Sequence, residues 1–149
     1  MVIEFVEYSR TFLEKSWEWL NDKEIKELAM TPDFTKEQQE QFFNSLADRT
    51  NYFIKGITCN SVPIGACGLK NITKKDAECW GYVGKREYWG QGVGEKFMKY
   101  LFEIAKEKKL ESLYGRVSQS NERSINMVKK LSFSVEKIDD AVITFRLRI

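Results

Sequence analysis

Residues Tyr88-Trp89-Gly90-Gln91-Gly92-Val93-Gly94-Glu95 carry the clearest chemical signal in this chain. Three glycines at alternate positions remove every Cβ that would hold a ligand off the backbone, and they permit left-handed dihedral angles. The turn runs straight into an amphipathic segment whose Phe97, Met98, Leu101, Ile104 and Ala105 mark one helical face. A helix N-terminus presents unpaired N–H groups and partial positive charge, so this arrangement suits phosphate oxygens. A purely structural tight turn is the competing reading. Two phosphate loops fail on spacing. A P-loop needs Lys and then Ser or Thr after its last glycine, where Glu95-Lys96-Phe97 stand here. The dinucleotide fingerprint G-x-G-x-x-G is not the G-x-G-x-G of Gly90, Gly92 and Gly94, which follows a three-strand meander instead of opening a βαβ unit. Cys59, Cys67 and Cys79 form no C-x-x-C pair, and there is no histidine, so no metal site is expected.

The elements that must position this turn follow from periodicity. Residues 2–8 read as a strand, Thr11–Leu20 as a helix, and Ile25, Leu28 and Ala29 as the face of a second short helix after the break at Asn21-Asp22. Thr35-Lys36-Glu37-Gln38 fits a capping box and opens a third helix bearing Phe42, Phe43 and Leu46. Tyr52–Cys59 and Val62–Leu69 are apolar runs joined by Asn60-Ser61, a hairpin signal, and Ala77–Val83 is a third strand. Beyond the glycine turn come a helix to about Lys109, a strand at Leu113–Ser118, a helix at Asn121–Leu131, and strands at Phe133–Lys137 and Val142–Ile149. The order predicts one mixed α/β domain spanning residues 1–149.

Composition narrows the class. At 149 residues the chain supports one domain with a sizeable core. Hydrophobic residues at 42% and charged residues at 31% are those of an ordinary globular protein. A formal charge of +2, without a polybasic run, argues against nucleic acid as partner. No apolar run approaches the roughly 20 residues of a membrane span, and Glu4 and Glu7 interrupt any signal peptide. Three cysteines in strand-like segments read as buried thiols in a reducing compartment, so a cytoplasmic location is expected.

Four segments together resemble the GCN5-related N-acetyltransferase (GNAT) superfamily, and within it the RimJ/RimL-like branch. They are Ala77-Glu78-Cys79-Trp80-Gly81-Tyr82-Val83, Glu87-Tyr88-Trp89-Gly90-Gln91-Gly92-Val93-Gly94, Asn121-Glu122-Arg123-Ser124-Ile125 and Lys130-Leu131-Ser132-Phe133. The resemblance covers essentially the whole chain. It implies a mixed, mostly antiparallel twisted sheet flanked by helices, with two strands splayed at a cofactor cleft, and acetyl-coenzyme A as cosubstrate. The pyrophosphate would rest on the backbone N–H groups of Gln91 to Glu95, with Trp89, Gly90, Gly92, Val93 and Gly94 forming the loop. The pantetheine arm would pair with the strand edge at Tyr82, Val83 and Gly84, where Gly81 and Gly84 suit a bulge. Asn121 matches an asparagine that contacts the arm, and it also suits an N-cap.

The chain departs from the family pattern in three places. Trp89 stands where many members carry Arg or Gln, and the RimJ/RimL branch accepts an aromatic residue there. Val128 occupies the position of a tyrosine that protonates the departing thiolate, and valine has no proton to give. Ser132 replaces a glycine before Phe133, a change of turn geometry.

The implied reaction acetylates a primary amine by direct attack. An alkylammonium with a pKa of about 10 must first lose a proton. Glu78 shares a strand face with Trp80 and Tyr82 and matches a cleft glutamate of the branch, so it is the expected base or electrostatic anchor; a solvated or salt-bridged carboxylate is the alternative. Ser124, four residues before Val128, is the substitute donor to the thiolate, or else a residue of the helix cap. Trp17, Trp19, Phe34, Phe42, Phe43 and Trp80 are candidates to line the acceptor pocket, and a small amine such as an amino-sugar is the expected acceptor. A peptide N-terminal acetyltransferase and a catalytically silent coenzyme A-binding module are the alternatives. A homodimer is compatible with the family.

Overall fold

The computed structural model describes residues 1–149 and places all seven predicted strands in one sheet of order β1-β2-β3-β4-β5-β7-β6. The strands are β1 (Ile3–Glu7), β2 (Phe53–Cys59), β3 (Val62–Lys70), β4 (Asp76–Val83), β5 (Ser112–Ser118), β6 (Ser134–Asp139) and β7 (Val142–Arg148). The helices are α1 (Arg10–Asn21), α2 (Lys23–Leu28), α3 (Lys36–Ser45), α4 (Val93–Glu107) and α5 (Glu122–Lys130). Local chemistry sets the boundaries. Thr35 and Gln38 exchange both bonds of the predicted capping box. Asn60 and Ser61 both adopt positive φ, the turn that matches strand twist in a two-residue hairpin. Helix α5 ends on Ser132 at φ 74°, where Phe133 N–H reaches back to the Val128 carbonyl oxygen, so a serine holds the left-handed position that glycine fills without strain.

The sheet has two faces with different cover. Any Cβ on Gly56 would meet the Phe12 ring of α1, and one on Gly81 would come within 2.5 Å of Phe97 of α4. Alternation along β4 therefore turns Glu78, Trp80 and Tyr82 towards α1, and Ala77, Cys79 and Gly81 towards α4. The α4 side holds the main core: Phe97, Met98, Leu101 and Ala105 pack on Leu69, Ala77, Leu113 and Phe145.

Only β4 and β5 run parallel as neighbours, and they pair over three steps alone, Asp76–Ser112, Ala77–Leu113 and Glu78–Tyr114. Beyond Glu78 they separate, which gives the splayed strands that the resemblance implied. The predicted bulge at Gly81 and Gly84 is absent, because β3 and β4 keep one register from Gly65–Val83 to Lys70–Glu78. These two glycines serve packing instead: one accommodates the Phe97 ring, the other the Trp19 ring. The register shift of this sheet half lies between Ile57 and Thr58.

Candidate functional site

The glycine turn starts α4. Gly90 (φ 74°) and Gly92 (φ 83°) hold left-handed conformations, and no atom lies within 4 Å of where their Cβ atoms would be. Gly94 has a different reason: a Cβ there would stand 2.8 Å from Met127 Sδ, so it lets α4 and α5 approach closely. Gly92 is the N-cap and offers no side chain to the first turn. None of the N–H groups from Gly90 to Glu95 has a partner in the chain, which leaves a row of donors facing open space at a helix N-terminus.

The donors open on a cleft of about 410 Å³, lined by Tyr82, Val83, Trp89, Gly90, Gly92, Val93, Gly94 and Glu95 together with Asn121, Ser124, Met127 and Lys130 of the α5 region. Its far wall is Ile25, Leu28 and Ala29, so the α2 segment closes the site. The periodicity of α2 showed a helix without showing this role. A link between distant segments explains it. Asp22 caps α2 through Glu24 N–H and Ile25 N–H, and it accepts a 2.6 Å bond from Arg86 just before the glycine turn. That guanidinium holds the Asp22 carboxyl below the ordinary carboxylate range.

Main-chain direction identifies which groups line the gap between β4 and β5. Gly84 N–H donates to the Ile64 carbonyl oxygen at 2.6 Å. Successive residues of an antiparallel ladder point their N–H and C=O to opposite sides. Tyr82 and Gly84 thus spend their main chain on β3, and Gly81 and Val83 turn theirs to the gap. This corrects the expectation that Tyr82 and Gly84 offer backbone pairing there; Gly84 does not line the cleft at all. The Val83 carbonyl oxygen already accepts the Trp89 indole N–H at 2.8 Å. Trp89 is in turn faced by two guanidiniums, Arg86 at 5.6 Å and Arg123 at 5.0 Å.

Gln91 is exposed and donates to the Glu87 carbonyl oxygen, leaving only its backbone towards the turn. Glu95 bridges to Lys130 (3.1 Å) and Lys99 (3.2 Å), which hold its carboxyl below the usual range and offset its negative charge beside the donors. Asn121 is the N-cap of α5, its Oδ1 accepting from Ser124 N–H at 3.2 Å, with its amide nitrogen unused within the chain. The Ser124 hydroxyl makes no hydrogen bond and borders the cleft. Val128 is 4% exposed and belongs to the core, one position past Met127 on the cleft wall. The Val128 side chain does not border the cleft and serves as a packing residue.

Glu78 lies on the α1 side at the last paired step before the strands part. It is buried, 7% exposed, with Lys70 Nζ at 3.6 Å and Asn71 Nδ2 donating at 3.4 Å. Beyond it on the same face stand Trp80 and Tyr82, stacked at 6.5 Å, with Tyr52 against Trp80 and Trp19 against Tyr82. Burial pushes the Tyr82 phenol well up and that of Tyr52 up as well. Trp80 Nε1 is buried and has no partner. Trp17 and Phe34 pack edge to face at 5.4 Å and stand outside the cleft lining, and Phe42 packs on Tyr52. Phe43 lies under the Arg10 guanidinium.

A family model for the acetyltransferase (GNAT) domain matches residues 6–134. No curated protein matches the chain by sequence. Among solved structures, a domain from Methanocaldococcus jannaschii superposes with a TM-score of 0.85 at 17% identity, over 99% of both chains. The Campylobacter jejuni N-acetyltransferase PseH in complex with acetyl coenzyme A gives 0.77 at 20% identity, again over 99% of both. Spermidine N-acetyltransferase from Vibrio cholerae, in complex with CoA and spermine, gives 0.83 at 16% identity over 98% of this chain and 95% of the other.

Proposed function

The chain belongs to the GNAT acetyltransferase family, and from that premise we propose that it transfers an acetyl group from acetyl-coenzyme A to the primary amine of a small acceptor such as an amino-sugar. The observation that carries this reading is the unbroken row of free N–H donors from Gly90 to Glu95, set beside a strand edge that ends in a parted pair. A pyrophosphate fits the donors, and the space above Gly90 and Gly92 admits it without displacing an atom. An extended amide arm fits the gap edge of Gly81 and Val83. Bound acetyl-coenzyme A supplies the thioester.

The chain's own groups do the rest. Glu78, anchored by Lys70 and Asn71, accepts the proton that the acceptor ammonium must lose. Backbone N–H groups of Gly81 and Val83 point to where negative charge develops on the acyl oxygen. The Ser124 hydroxyl at the cleft wall donates a hydrogen bond to the departing thiolate, or relays to it a proton supplied by solvent water. A thiol has a pKa of about 8.5, so its anion can leave without a tyrosine donor at position 128. Trp89 and the Asn121-to-Ser124 cap support placement in the RimJ/RimL-like branch, and the three buried thiols suit a reducing cytoplasm.

Val128 in the core also favours a second reading, a silent coenzyme A-binding module. Thiol release from acetyl-coenzyme A, measured with a panel of amines and confirmed by the mass of the acetylated product, separates the two. Amine-dependent release supports the transferase. Tight cofactor binding with no release for any amine supports the silent module.

A further inference from the structure

The strands that wall the gap are asymmetric in charge. Every carboxylate carried by strands β4 to β7 is already paired: Glu78 with Lys70 (3.6 Å), Asp76 and Glu136 with Arg146 (3.0 and 2.7 Å), and Asp139 with Lys137 (3.5 Å). Arg116 of β5 is exposed and makes neither a hydrogen bond nor an ion pair. The β5–β7 register puts it opposite Thr144, two residues past Tyr114, the partner of Glu78. Alternation sets Tyr114 and Arg116 on one face, and the Arg146 guanidinium lying 4.9 Å over the Tyr114 ring is on that same face. Arg116 therefore stands about 7 Å beyond the Glu78–Tyr114 step, across the gap from Trp80.

These strands offer no free carboxylate to a polycationic amine; the unpaired Glu14, Glu18, Glu24 and Glu27 belong to α1 and α2. A free guanidinium beside an aromatic wall suits a planar or tetrahedral anion, which it can bind through two parallel N–H donors. Resting on the transferase reading above, we propose that the acceptor carries an anionic group, a phosphate or carboxylate, together with the amine, and that Arg116 binds that group while the amine faces Glu78. Arg116 is then the residue that selects the acceptor. The only other unpaired cation of these strands, Arg148, lies opposite Ser112 at the far end of β5 and takes no part.

The test compares glucosamine 6-phosphate, glucosamine and spermidine as acceptors. The expected order puts glucosamine 6-phosphate first, with its kcat/KM advantage over glucosamine cut about tenfold in Arg116→Ala, partly restored in Arg116→Lys and intact in Arg148→Ala. Calorimetric binding of glucosamine 6-phosphate to the coenzyme A-saturated protein reads the same contrast without turnover. Binding that is absent, or indifferent to Arg116→Ala, overturns the proposal, as does a preference for spermidine. If no amine is acetylated but binding still depends on Arg116, the transferase reading falls and the anion site stands. If neutral amines are acetylated without any phosphate preference, the reverse holds.

Discussion

Trp89 donates its indole N–H to the Val83 carbonyl oxygen at 2.8 Å, and this single bond ties the glycine turn to the open edge of β4. It joins the two halves of the cleft, the donor row at the start of α4 and the gap-facing backbone of β4. Two guanidiniums over the same ring hold it in place.

Trp89→Phe keeps the ring and removes the donor. The Val83 carbonyl then loses its partner, at a stability cost of about 1 kcal/mol. We expect acetyl-coenzyme A to bind several-fold more weakly, as measured by calorimetry, with kcat changed less than KM. Unaltered affinity would show that the bond does not organise the cleft.

Glu78→Gln conserves shape and removes the proposed proton acceptor. The expected result is a fall of about 100-fold in kcat, the range of a lost general base. Acetyl-coenzyme A affinity should hold, because Glu78 lies on the face away from α4. A kcat within threefold of the parent would leave Glu78 as a structural anion.

Val128→Tyr restores the residue that the family often carries. Because position 128 is buried in the core, the larger ring should cost about 1–3 kcal/mol in denaturant unfolding. No gain in kcat is expected. A faster enzyme of unchanged stability would mean that position 128 reaches the cleft after all.

Burial pushes the Cys67 and Cys79 thiols up to about 12. Both stay protonated in the folded protein at pH 8, so a thiol reagent should label them only after unfolding. The unfolded chain loses these protons near pH 8.5. Stability from this source is therefore complete below that pH and is lost as pH rises towards 12. Rapid labelling of the native protein at pH 8 would contradict the packing of β3 on β4.

What was legible in the sequence was mostly local. The Thr35–Gln38 box, the Asn60-Ser61 turn and the left-handed glycines at 90 and 92 are set by residues within a few positions of each other, and each leaves a pattern. What was hidden depends on contacts between distant segments. Gly81 and Gly84 look like bulge residues until Phe97 and Trp19 are seen to occupy their Cβ space. Val128 matches a tyrosine position by count, but its side chain is packed in the core among residues from distant segments. That Arg116 is unpaired follows from how Arg146 bridges Asp76 and Glu136, three strands' worth of side chains that no short window contains. Basic residues at Arg123 and Lys130, two turns apart on α5, were a signal available to spacing, and both border the cleft.

The most direct test of the proposed cofactor site is a crystal structure with acetyl-coenzyme A bound. Pyrophosphate oxygens are expected about 3 Å from N–H groups within Gly90 to Glu95, with the pantetheine arm in the gap beside Gly81 and Val83. A pyrophosphate held anywhere else, or an arm outside the parted strands, would contradict this placement.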